Sequence, residues 1–296
     1  MKLIFTFLLS ISIVNAVCQK NRTFNSFESA FDNPELVYRL KISDSTLTSL
    51  PKDITKLKNL EYLNLADCRI TDLPDSIFKL EKLSHLDLRN NNLKQIPKVV
   101  FQFKSLTNLV LSNNNIEEIT KEISNLTQLE SLSFSNSEGI KNLNFLKDLE
   151  KLNYLSLDEC NLKEIPNFIY NLDNLQFLYF VDNEINNISD SISNLKNLKQ
   201  LNIINNNFTH FPKAILKLEK LEVLFICENK IPKLPEKIND LENLEQIYIG
   251  DTPISYIPDS FAEMKSLQFC DAIGCPISDK DWLKIVERFP KIYFDK

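Results

Sequence analysis

Glycine is almost missing from this 296-residue chain, occurring three times against about 7% in ordinary proteins. That scarcity removes the glycine-rich turns whose backbone wraps a phosphate group, and nucleotide-binding loops go with them. Histidine occurs twice, at His85 and His210, and tryptophan once, at Trp282. The six cysteines show neither CxxC spacing nor the dense clustering of a disulfide framework. A formal charge of −6 lacks the basic stripe that a nucleic-acid partner requires, so none is expected. The one sustained apolar run, Leu3 to Val14, is too short to cross a membrane, and no transmembrane span is predicted.

What the chain does have is an internal repeat. LEYLNLADCRITDLPDSIFKLEK, beginning at Leu60, is restated 23 residues later from Leu83. With Leu60 as position 1, ten units of 23 residues run from 37 to 266. Positions 4 and 6 are apolar throughout, from Leu40 and Ile42 to Cys270 and Ala272. Two apolar residues spaced by two, between polar ones, mark a short strand with one buried face. Position 9 holds Asn91, Asn114, Asn183, Asn206 and Asn229, replaced elsewhere by Cys, Ser or Thr. A small polar side chain recurring where the chain leaves a strand serves to bond the backbone groups the turn leaves unpaired. Leu-Pro or Ile-Pro often follows at positions 14 and 15, as at Leu73-Pro74 and Ile257-Pro258, which suits an outer arc and not a ladder.

The pattern LxxLxLxx(N/C)xLxxLPxxIxxL resembles the leucine-rich repeat family. The resemblance implies an α/β fold: a right-handed solenoid, or horseshoe, with a parallel β-sheet on the concave face and short helical or irregular convex arcs. It also implies a non-catalytic scaffold for protein–protein interaction that needs no cofactor, although fold alone does not fix function.

The ends depart from the repeat. Residues 1–16 carry Lys2, the apolar run and the small-residue exit Val14-Asn15-Ala16, and so read as a secretory signal peptide. The expected location is therefore secreted or cell envelope. Cys18 invites a lipid anchor, but Val17 stands where such sites resemble a small residue. Residues 17–36 form an N-terminal cap, with Phe24, Phe27 and Phe31 at helical spacing before Asn33-Pro34. Residues 267–296 form a degenerate repeat and a C-terminal helical cap, with Ser278 and Asp281 as a capping box and Trp282, Ile285 and Phe289 as the apolar stripe. No linker divides the repeats, so one elongated domain is expected. The unit from Leu129 slips by one place around Gly139 and Asn142, which predicts a local bulge.

Alternation puts positions 3, 5 and 7 on the solvent side of each strand. His85, Asp87 and Arg89 share such a face and read as a surface ion cluster, since no nucleophile accompanies them. In the N-terminal half these columns are mostly polar. In the C-terminal half they carry Tyr154, Phe177, Tyr179, Val181, Ile204, Val223, Phe225, Tyr248 and Phe269. The expectation is one exposed apolar and aromatic patch, the usual mark of an interaction site. Position 8 adds an acidic rim of Glu159, Asp182, Glu228 and Asp251, which favours a basic partner segment. The expected partner is a protein or peptide. Glycan binding or adhesion, by stacking of sugars on exposed rings, and self-association into a structural envelope component remain alternatives.

Overall fold

The computed structural model describes residues 20–296; the leader over 1–16 and Cys18 lie outside the described residues. The chain packs as two compact units, Met1–Leu132 and Ser133–Lys296.

In the first unit, five short parallel strands follow one another in chain order: β1 (Thr23–Phe24), β2 (Arg39–Lys41), β3 (Tyr62–Asn64), β4 (His85–Asp87) and β5 (Asn108–Val110). From β2 onward each residue pairs with the one 23 places on, so Leu40, Leu63, Leu86 and Leu109 form one buried column. The sequence period is thus the strand register. β6 (Ser131–Ser133) stands at the boundary of the units.

The second unit repeats the arrangement with β7 (Tyr154–Ser156), β8 (Phe177–Tyr179), β9 (Gln200–Asn202), β10 (Val223–Phe225), β11 (Gln246–Tyr248), β12 (Phe269–Asp271) and β13 (Tyr293–Asp295). Three residues per strand is all the LxL core allows before the chain must turn. The return arcs are 3₁₀ turns, commonly five residues long and opened by a proline, as at Lys52–Lys56 after Pro51 and Lys213–Lys217 after Pro212.

Position 9 performs the backbone work assigned to it. Asn206 Nδ2 donates to Phe180 O at 2.8 Å and Ile203 O at 3.2 Å, while its Oδ1 accepts from Ile185 N at 3.0 Å. Asn91 makes the same set in the first unit, to Leu65 O at 2.8 Å and Leu88 O at 3.0 Å and from Ile70 N at 2.8 Å. Both side chains are buried, so the bonds replace water that the turn cannot reach. Where cysteine substitutes, its thiol points the same way: Cys160 Sγ lies 3.7 Å from Phe134 O, and burial pushes that thiol up to about 12. Cys68, Cys160, Cys227, Cys270 and Cys275 are all free, including Cys270 and Cys275, which share one unit.

Position 8 has a conformation of its own. It is left-handed at Asp67, Asn90, Asn113, Asn136, Glu159, Asp182, Asn205, Glu228, Asp251 and Gly274. Aspartate and asparagine tolerate that region best among residues with a side chain, which is why the chain manages with so little glycine. The slipped unit also resolves in backbone terms: Gly139 (φ 68°) and Asn142 (φ 62°) both turn left-handed, returning Ile140 and Leu143 to the core.

The caps hold the two ends. Helix α1 (Phe27–Asp32) is capped by Ser26 Oγ, which accepts from Ser29 N. Helix α2 (Asp279–Arg288) is capped by Ser278 Oγ, which accepts from Asp281 N at 3.2 Å. The sequence reading missed the flanking strands β1 and β13, which extend the ladders. Trp282, on the apolar stripe of α2, is half-buried, edge-on to Phe294 at 5.8 Å.

Candidate binding face

The candidate face is the outward side of strands β7 to β13 and the residues just beyond them. In-register parallel pairing sets equal positions about 4.8 Å apart, so columns in sequence become ladders in space. Tyr154 lies 6.4 Å from Phe177 and 5.1 Å from Tyr179, centroid to centroid, forming one aromatic cluster on β7 and β8. Phe225 stacks on Tyr248 at 4.2 Å, and Tyr248 meets Phe269 at 5.2 Å, forming a second on β10 to β12.

The aromatic part of the expected apolar and aromatic patch is therefore two clusters. β9 separates them, because its outward residues are Gln200 and Asn202. Val223 lies on the same column as Gln200 and Gln246, between polar neighbours. The apolar connection runs instead through position 7, where Val181, Ile204 and Cys227 are half-buried on successive turns. The register persists that far: Asp182 N donates to Ile204 O at 3.1 Å and Asn205 N to Cys227 O at 3.1 Å. Burial pushes the Cys227 thiol up to about 12, so it acts as an apolar side chain.

The rim residues Glu159, Asp182, Glu228 and Asp251 are exposed. Part of the rim has a local cause. Asp182 and Asp251 suit the left-handed turn, and Asp182 Oδ1 accepts from Asn205 Nδ2. Glu159 (φ 52°) and Glu228 (φ 54°) have no such advantage, since a glutamate side chain gains nothing from that conformation.

Some of the face was not anticipated. Tyr293 on β13 stacks on Phe269 at 5.8 Å and is 67% exposed, lengthening the second aromatic ladder. Its signal was available: Tyr293-Phe294-Asp295 repeats the pattern Phe269-Cys270-Asp271, offset by 24 residues and not 23. Asp158 and Asp271 also face outward at positions 7 and 5.

In the first unit the His85, Asp87 and Arg89 group is not the exposed ion cluster expected. Asp87 is 1% exposed, because Asn64 Nδ2 donates to it at 2.9 Å and Arg89 closes over it at 2.8 Å. Position 5 is roofed by its neighbours in the same way at Asn64 and Ser156. Burial lowers the His85 pKa, the first of several causes, which favours a neutral ring stacked on Tyr62 at 4.4 Å. Among the described residues no group of three or more His, Cys, Asp or Glu side chains is arranged to hold a metal, and no helix is long and apolar enough to cross a membrane.

The family described as leucine-rich repeat region matches residues 36–153 and 135–228. The chain belongs to the leucine-rich repeat family. Its fold is similar to that of an internalin, InlF, from Listeria monocytogenes, with a TM-score of 0.68 and 24% identity over 89% of this chain and 81% of that one. It is also similar to a leucine-rich repeat protein of Leptospira interrogans, with a TM-score of 0.53 and 23% identity over 93% of this chain and 100% of the other. A third likeness is to the plant peptide hormone receptor RGFR1 in complex with RGF2, with a TM-score of 0.61 and 26% identity over 85% of this chain but 42% of the receptor chain. No curated protein sequence matches the chain significantly.

Proposed function

We propose that this chain is an exported, non-catalytic scaffold that binds a protein or peptide through the outward face of strands β7 to β13. The observation that carries the reading is the pair of aromatic clusters, Tyr154–Phe177–Tyr179 and Phe225–Tyr248–Phe269–Tyr293, left on a strand face bordered by carboxylates. Rings of this kind bury large area at low entropic cost when a partner covers them. Among the structural relatives, the plant receptor is a peptide hormone receptor, which supports a peptide as the partner class. The surrounding carboxylates favour a basic one. Export rests on the leader over 1–16, and recovery of chain beginning at Val17 from the medium or envelope of expressing cells is the expected outcome.

The test is capture from extracellular and envelope extracts with the leaderless chain, beside a variant carrying Phe177→Ser, Tyr179→Ser, Phe225→Ser and Tyr248→Ser. Circular dichroism verifies that the variant folds. A partner held by the parent and lost by the folded variant is expected, and addition of simple sugars should not displace it. Equal capture by both proteins overturns the reading.

A further inference from the structure

The second unit carries one outward group that the aromatic ladders do not account for. Asp158 lies at position 7 beyond β7, and its carboxylate is pinned from three directions. Val181 N donates to Oδ1 at 2.7 Å, Ser156 Oγ to Oδ2 at 2.8 Å and Ser135 Oγ to Oδ2 at 3.3 Å. Ser135 and Ser156 also meet at 2.6 Å, and with one proton each the shorter contacts win: Ser135 donates to Ser156, which donates to Asp158, leaving the 3.3 Å approach of Ser135 the weakest of the three. An ionised carboxylate offers about four acceptor sites, so a site on Oδ1 stays open. Another carboxylate, Asp182, acts on Asp158, and like charge worsens its burial.

Two rings neighbour this carboxylate in the ladder: Tyr154 on β7, which leads into Asp158, and Tyr179 on β8, two residues before the Val181 whose N–H holds it. Tyr154 and Tyr179 lie 5.1 Å apart at a 37° tilt, both half-buried, and the Asp158 charge raises the pKa of each after burial has done so. A fixed anion near two aromatic rings attracts a cation by both charge and quadrupole.

The first unit shows what fills such an arrangement when the chain supplies it. There the Arg39 guanidinium lies 4.1 Å from the centroid of Tyr62, and Arg89 pairs with Asp87 at 2.8 Å. From Tyr154 to Gly274, by contrast, positions 3, 5, 7 and 8 contain no lysine or arginine.

We propose that Tyr154, Tyr179 and Asp158 form a subsite for the guanidinium of an arginine presented by the protein or peptide partner. The inference rests on the binding role proposed above and names the side chain recognised. Arginine fits better than lysine because its planar, weakly hydrated head stacks on a ring while its N–H groups reach a carboxylate in the same plane. The Asp158 carboxylate is held in place before the ligand arrives, so binding need not order it.

The experiment is calorimetric titration of the leaderless chain with glycine–serine peptides bearing arginine, with lysine counterparts, and with counterparts in which neutral citrulline replaces arginine. The arginine peptides should bind saturably and citrulline should weaken binding about tenfold or more, the loss expected of a desolvated cation–π contact and a charge-assisted bond. Asp158→Asn, and separately Tyr154→Leu with Tyr179→Leu, should reduce arginine binding to the citrulline level, with Asp158→Asn keeping the parent's thermal midpoint or raising it. Equal binding of arginine and citrulline, unchanged binding in Asp158→Asn, tighter binding of lysine, or no arginine binding at about millimolar peptide each overturns the proposal. The broader reading fails separately. A captured partner lost by Phe225→Ser with Tyr248→Ser but retained by Asp158→Asn sinks the subsite alone, whereas a partner indifferent to both variants sinks the binding face.

Discussion

The two units are built on one repeat and differ in what their strand faces leave undone. In the first, Tyr62 is covered on one side by Arg39 and stacked on the other by His85, and Asp87 is closed off by Asn64 and Arg89. The chain answers its own rings and charges there. In the second, the rings of each cluster stack on other rings and are bordered by glutamine and asparagine, and Asp158, Glu159, Asp182, Glu228, Asp251 and Asp271 have no basic residue among the equivalent positions. Since both faces have the same backbone and register, the difference lies in side-chain choice alone. On the function proposed above, a fold that satisfies one face with its own arginines and withholds them from the other reserves the second for a partner.

The sharpest check of this comparison is whether the units really share their construction. Asn91→Ala and Asn206→Ala remove the same buried amide, each leaving one carbonyl (Leu65 O, Phe180 O) and one N–H (Ile70, Ile185) unpaired, since Leu88 O and Ile203 O keep the amide of the next unit. Each substitution should cost about 3 kcal/mol, at the upper end for lost buried hydrogen bonds, and the two losses in denaturant melts should agree. A markedly smaller loss at Asn206 would mean that the second unit is looser, and its exposed rings would then need no partner to explain them.

A smaller effect is expected from giving the second face an arginine of its own. Gln200 pairs in register with Phe177, as Arg39 does with Tyr62. Gln200→Arg should set a guanidinium over Phe177 and stabilise the chain by about 0.5 to 1 kcal/mol, while weakening capture of the partner. Stabilisation without loss of capture would show that the partner does not use the β7 and β8 cluster.

Much of this was legible before any coordinates. The 23-residue period is the strand register, and the asparagine column is the turn ladder, because both follow from local bonding repeated without interruption. The face was only partly legible. Alternation names which residues point outward from a three-residue strand, but not that a short side chain such as Asp87 sinks beneath its neighbours. A column read as continuous was broken by Gln200 and Asn202 on one strand, and column averages hide a single polar rung. Tyr293 escaped because the last spacing is 24 and the leucine motif has decayed by then, leaving only the triplet Tyr293-Phe294-Asp295 to betray a strand. The left-handed position 8 was visible as a taste for Asn and Asp, yet it was read as a rim of charge.

The finest discrimination comes from acid. Burial is the leading cause that raises the Asp158 pKa, with the Asp182 charge adding to it, and the bonds from Ser156, Val181 and Ser135 oppose it without cancelling it. The folded chain therefore holds that proton more tightly than the unfolded chain, whose aspartates titrate near about 4. Between those two values the folded state binds more protons, so Asp158 costs stability as pH rises through the window, and the cost is complete above it. A carboxylate paired with a cation in the folded state behaves in the opposite sense. Asp158→Asn retains an acceptor for Val181 N and removes the charge, so its thermal midpoint should equal the parent's in acid and exceed it slightly at neutral pH. Saturation with the arginine peptide should close that gap from the parent's side, since a guanidinium supplies the missing counter-charge. A parent that gains stability over Asp158→Asn as pH rises would mean that the chain already satisfies Asp158 internally, and the contrast between the two faces would fail at its most specific point.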